Sequence, residues 1–155
     1  ATLYTRFPQK ESLLQSVVED RAAAWSAEAS KRNWMLGDTL EQRLKYYMDI
    51  AMSWAMDDEV RAFDRLLAST PAHVGRPLYE IRYRGMVDLL TDEIEEFTRT
   101  DAQPAKNSRQ VAVDLMALIT GWFRIETAMR TPSRRKAVEY GRHAVDLVLA
   151  ARASW

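Results

Sequence analysis

The chain has 155 residues, 47% of them apolar and 28% charged, which is the profile of one folded globular domain. Its 22 Lys and Arg residues balance its 22 Asp and Glu residues, so neither a polybasic arm nor an acidic tail is its main device. Cysteine is absent, which excludes disulfide frameworks, thiolate metal sites and cysteine nucleophiles. No apolar run reaches the roughly 20 residues of a membrane helix, and no signal peptide precedes the first periodic segment. The expectation is a cytoplasmic protein without membrane contact.

Glycine and proline are scarce, with five of each, and they fall between periodic segments. Ala, Leu, Arg, Glu and Met dominate, and all favour helix. The spacing predicts an all-α fold of six helices after a short leading fragment. That fragment ends at Pro8, because a proline disfavours helix in the residue before it. The first helix starts near Gln9 or Lys10 and runs to about Asn33, with Leu13, Leu14, Val17, Val18, Arg21 and Trp25 on one face. After Gly37, Asp38 or Thr39 is the expected N-cap of a helix over about Leu40–Ala55. The acidic triplet Asp57-Asp58-Glu59 suits the positive end of the next helix, which closes at Ser69-Thr70-Pro71. Residues 71–77 hold two prolines and Gly75 and are predicted as a loop. A long helix then runs from Pro77 to Thr98, followed by a polar loop, Arg99–Asn107. Ser108 and Ser133 are the expected N-caps of two last helices, about Ser108–Arg130 and Ser133–Ala153.

Catalytic motifs are missing. There is no glycine-rich phosphate loop and no Gly-x-Ser-x-Gly elbow. Glu139 and His143 stand four apart on a helix and could share a metal, but two ligands make a weak site. No metal and no cofactor are expected. His73 is expected at a solvent-facing loop. The acidic residues Asp88, Asp92, Glu93, Glu95 and Glu96 scatter around their helix and are expected to form a solvated face. Nothing here points to an enzyme.

The middle helices are rich in Tyr, Trp and Met. Methionine adapts its shape, and Tyr or Trp adds a polar handle to an apolar wall, as in pockets for small organic ligands. Candidate pocket residues are Tyr47, Met48, Trp54, Phe63, Tyr83, Met86 and Trp122, with Arg82 and His73 as polar contacts and Arg32 stacked near Trp34. The expected ligand is a small hydrophobic or aromatic molecule. In the last helix, Ala137, Gly141, Ala144, Val148 and Ala151 form a stripe of small residues that allows close helix approach. The helix before it carries two apolar rows, one of them with Ile119 and Phe123, and so needs two partners. A homodimer through a four-helix bundle meets that need. The expected interface comprises Ile119, Phe123, Ala137, Gly141, Ala144 and Val148.

The opening residues Thr2-Leu3-Tyr4-Thr5-Arg6-Phe7-Pro8-Gln9-Lys10-Glu11-Ser12-Leu13-Leu14 resemble the end of the DNA-binding domain of TetR/AcrR-type transcriptional regulators. That family closes its recognition helix with Leu-Tyr-x-x-Phe, here Leu3, Tyr4 and Phe7, and starts the next helix with Lys-Glu-x-Leu, here Lys10, Glu11 and Leu13. The resemblance implies a six-helix TetR-like regulatory domain, whose last two helices form a four-helix bundle with a second subunit. It divides the chain into a helix-turn-helix remnant over residues 1–9 and a ligand-binding and dimerisation domain over residues 10–155. It also implies a repressor that binds operator DNA through the parent protein and releases it on binding an effector. Thr2, Tyr4 and Lys10 are the expected DNA contacts, Tyr4 and Lys10 through phosphate and Thr2 in the major groove. The rival reading is a helical protein-interaction module without DNA binding.

Overall fold

The computed structural model describes residues 9–30, 37–101 and 104–155. The described residues form six helices in succession: α1 (Lys10–Ser30), α2 (Leu40–Ala55), α3 (Asp58–Ser69), α4 (Ala72–Thr98), α5 (Ser108–Met129) and α6 (Arg134–Ala150). A 3-10 turn, Arg152–Ser154, follows. The described residues include no strand, so the fold is all-α.

Three helix starts are written locally. Thr39 caps α2 with a reciprocal pair of bonds: its hydroxyl accepts from Gln42 N at 3.2 Å, and its own N–H donates to Gln42 Oε1 at 3.3 Å. Such a capping box satisfies two otherwise orphaned donors. Asp57 caps α3 by accepting from the N–H groups of Glu59 and Val60. Ser133 caps α6 by accepting from Lys136 N at 3.2 Å. Ser108 departs from its expected role. It is the first helical residue of α5 and is buried, while Asn107 holds the cap position without a side-chain bond.

The segment 71–77 departs as well, because α4 begins at Ala72 and Pro77 lies inside it. A proline near a helix start forfeits little, since the first N–H groups have no intrahelical acceptor and only the next one or two bonds are affected. Gly75 is buried rather than looped out. A Cβ there would come within 2.9 Å of the Leu67 carbonyl oxygen, so its lack of a side chain lets the first turn of α4 close on the end of α3.

The main core lies where α2, α4, α5 and α6 meet. Leu44, Met48 and Met52 of α2 face Leu90 and Ile94 of α4, Leu115 of α5 and Val145 of α6, each 1% exposed or less. Burying a side chain of this size stabilises the fold by about 1.5–3 kcal/mol. A smaller cluster joins Val18 of α1 to Leu67 of α3, with Leu14, Phe63 and Val74 against it. Val18 is the one residue of α1 buried among its described side chains.

The small-residue stripe of α6 packs inside the protomer. A Cβ on Gly141 would lie 2.9 Å from Met52 Cγ, 3.4 Å from Met48 Cβ and 3.5 Å from the Met48 carbonyl oxygen. Ala137, Ala144 and Val148 continue that face and are buried in the same core. This corrects their assignment to a subunit interface, because α2 of the same chain already covers them. Ile119 is buried too, and Phe123 packs against the core. Beside the stripe, Lys45 pairs with Asp146 at 2.7 Å and Asp49 with Arg142 at 2.6 Å.

This close crossing sets an expected mutational pattern. Gly141→Leu should destabilise the protein by roughly 1–3 kcal/mol through overpacking. Gly141→Ala should stay within about 1 kcal/mol of wild type, since better helix propensity offsets the displacement of Met52. Gly85→Ala, where a Cβ meets nothing within 4 Å, should stabilise by about 0.5–1 kcal/mol. Urea unfolding followed by circular dichroism reads all three, and a Gly141→Leu protein as stable as wild type would contradict the packing described.

Candidate functional site

The aromatic and methionine residues of the middle helices do not all converge. Tyr47 and Met48 of α2 are buried in the main core, and Tyr83 and Met86 of α4 pack against it half-exposed. Phe63 belongs to the separate cluster with Val18 and Leu67. Trp54 is half-buried near the end of α2. Trp122 lies on the α5–α6 seam, stacked on Tyr140 with ring centroids 4.5 Å apart and planes 9° apart. The Arg82 side chain, Arg32 and Trp34 lie outside the described residues, as do Thr2 and Tyr4. His73 is exposed in the first turn of α4, and Lys10 is exposed at the first position of α1.

One polar knot stands on the apolar wall, and it was not expected. Glu93 of α4 accepts from the Tyr47 hydroxyl at 2.9 Å through Oε1 and from Arg43 Nη1 at 3.0 Å through Oε2. Its side chain is only 13% exposed. Arg43 also donates from Nε to the Gly37 carbonyl at 3.1 Å, and its guanidinium sits 4.6 Å from the centroid of the Phe97 ring. The Tyr46 ring meets Tyr47 edge-on, with centroids 5.6 Å apart. Glu93 is therefore no member of a solvated face. Asp92, Glu95 and Glu96 remain exposed, and Asp88 pairs with Arg109 at 2.6 Å.

Helical spacing explains the exception. Glu93 stands four residues after Leu89, three after Leu90 and four before Phe97, so it lies within the apolar stripe of α4. A carboxylate there must be paired. Arg43 and Tyr47, four apart on α2, supply the two donors. That pairing of one flanked carboxylate with an i,i+4 Arg–Tyr couple is the signal in the sequence that locates the knot.

Electrostatics follow from the geometry. Burial, and then the bond to Glu93, push the Tyr47 hydroxyl well above the ordinary phenol range. Burial also raises Tyr83. At the α5–α6 turn, Lys136 and then Arg130 hold the Glu126 carboxyl below its ordinary value, against an opposing effect of burial. Glu139 is engaged by Arg135 at 2.7 Å, and His143 meets the edge of Tyr140. Among the described residues no group of three or more His, Asp or Glu is placed to hold a metal. Tyr47, Met48, Tyr83 and Met86 thus share one apolar cluster, with a charged, hydrogen-bonded corner at Glu93. No helix of the described residues is long and apolar enough to cross a membrane. No protein-family model, curated protein or solved structure matches the chain.

The shift of Tyr47 has a definite sign. A group whose folded pKa lies above its unfolded value of about 10 contributes stability below that pH and loses it as pH rises. The tyrosinate absorbance should therefore show a late alkaline step that coincides with loss of the helical signal. Tyr47→Phe should remove that step and cost about 1 kcal/mol at neutral pH. Glu93→Gln should cost about 1–3 kcal/mol, because it leaves the Arg43 charge without its counter-ion. Tyrosines that all ionise before any unfolding would contradict this placement.

Proposed function

We propose that the chain is the effector-binding and dimerisation part of a TetR/AcrR-type transcriptional regulator, a repressor released from operator DNA by a small hydrophobic or aromatic effector. The observation that carries this reading is the outer surface of the α5–α6 pair. Ile125 is 61% and Leu147 45% exposed, and a Cβ on Gly121 would meet nothing within 4 Å. With the Trp122–Tyr140 stack bridging the two helices, exposed apolar residues stand on both α5 and α6. Exposed apolar patches of this kind mark association sites, and a two-fold axis across this surface builds a four-helix bundle. The interface we propose thus uses Gly121, Ile125 and Leu147, on the side of α5 and α6 away from the small-residue stripe.

The remaining support is the resemblance of residues 2–14 and the Tyr47–Met48–Tyr83–Met86 cluster. An effector acts through its different affinity for two states of the protein. In a dimer, two reading heads must sit about one DNA turn, ~34 Å, apart. A change in the direction of α1 would alter that spacing and release the operator.

Sedimentation of the purified chain tests the carrying observation. The expected species is a dimer, which Ile125→Glu combined with Leu147→Glu converts to a monomer of unchanged helicity. A wild-type monomer would overturn the dimer. A gel shift with the protein joined to its helix-turn-helix helices tests the rest, and operator affinity unchanged at saturating effector would overturn the release mechanism.

A further inference from the structure

The polar knot joins two places that are separate in the fold. Glu93 Oε1 is held by Tyr47, on the wall of Tyr and Met side chains. Glu93 Oε2 is held by Arg43, whose Nε bonds the Gly37 carbonyl where the chain turns into α2. The corner has few other ties. Its cap is internal, between Thr39 and Gln42, and Gly37 lies directly against the Gln42 side chain. Among the described contacts, the Arg43–Gly37 bond is what joins this corner to α4. On α1 itself the described anchors are Leu14 and Val18, packed with Phe63 and Leu67 of α3 and Val74 of α4, and the Arg21–Glu59 ion pair.

Arg43 has one arm on a carboxylate and one on a carbonyl. A guanidinium prefers to engage a carboxylate at two points. Here Tyr47 occupies the second oxygen, so Arg43 takes Glu93 with Nη1 alone and keeps Nε on Gly37. If the hydroxyl of Tyr47 leaves, Oε1 becomes an open acceptor. The guanidinium then turns onto Glu93 at two points, and the Nε–H leaves Gly37.

We propose that Arg43 is a positioning residue that couples the Tyr47 hydroxyl to the Gly37 corner at the start of α2 through Glu93, so that a molecule drawing Tyr47 off Glu93 unlatches that corner. The proposal rests on the effector reading for its biological use but not for its test. No atoms are exchanged; one hydrogen bond replaces another.

Amide hydrogen exchange on the purified chain decides it. Tyr47→Phe does not touch Gly37, yet it should speed exchange at the Thr39 and Gln42 amides about fivefold, the loss of roughly one hydrogen bond. Arg43→Lys keeps the charge but loses the fork, and should give the same effect or more. The double variant should be no faster than Arg43→Lys alone, because both changes break one path. Amides of Met48 to Met52 should stay within about twofold of wild type, which separates unlatching from general loosening. Corner amides unaffected by Tyr47→Phe, or effects of the two changes that add in full, would overturn the coupling. Neither outcome depends on dimerisation or DNA binding, so failure of the latch and failure of the regulator reading are distinguishable.

Discussion

Everything else in the fold depends on how closely α2 and α6 approach at Gly141. Two helices carrying ordinary side chains pack with axes about 8–10 Å apart. A glycine opposite two methionines lets their side chains lie across the α6 backbone. That closeness buries Met48 and Met52 completely and sets the depth at which α4 and α5 pack from the other side. Methionine suits the place, since an unbranched chain can follow an irregular gap that a branched one would leave open. The core is therefore built around a crossing, with its bulk on α2 and its space on α6.

The same crossing explains what could be read from the sequence. Helix periodicity placed the six helices of the described residues, because amphipathic stripes and caps such as Thr39, Asp57 and Ser133 are local features. Two local signals misled. Gly75 and Pro77 look like loop residues in isolation, but the close contact of Gly75 with Leu67 is tertiary. The stripe from Ala137 to Val148 announces close approach without naming the partner, and a helix of the same chain and a helix of a second subunit leave the same imprint. Only the three-dimensional arrangement separates them, and it turns the apolar surface with Ile125 and Leu147 outward instead.

The aromatic wall was legible in kind and less so in membership. Tyr47, Met48, Tyr83, Met86 and Trp122 share one cluster, whereas Phe63 belongs to another. Composition reports how many adaptable side chains a region holds, but which helix face each one joins depends on the crossing angles. Glu93 reads as part of a solvated face because four other acids crowd the same stretch, and its burial is visible only from the apolar residues flanking it on the helix.

The ion pairs beside the crossing carry a meaning beyond their strength. Exposed pairs of this kind contribute about 0–1 kcal/mol each. Yet Lys45 and Asp49, one turn apart on α2, are opposite in sign, and so are Asp146 and Arg142, which they meet on α6. If α6 slid by one turn, Arg142 would face Lys45, or Asp146 would face Asp49, and attraction would become repulsion. The small-residue stripe, by contrast, is smooth enough to tolerate such a slide. The charges thus specify the alignment that the stripe leaves open, and they do so in the part of the interface most open to salt. Ionic strength should consequently weigh less on how tightly these two helices bind than on how uniquely they are aligned.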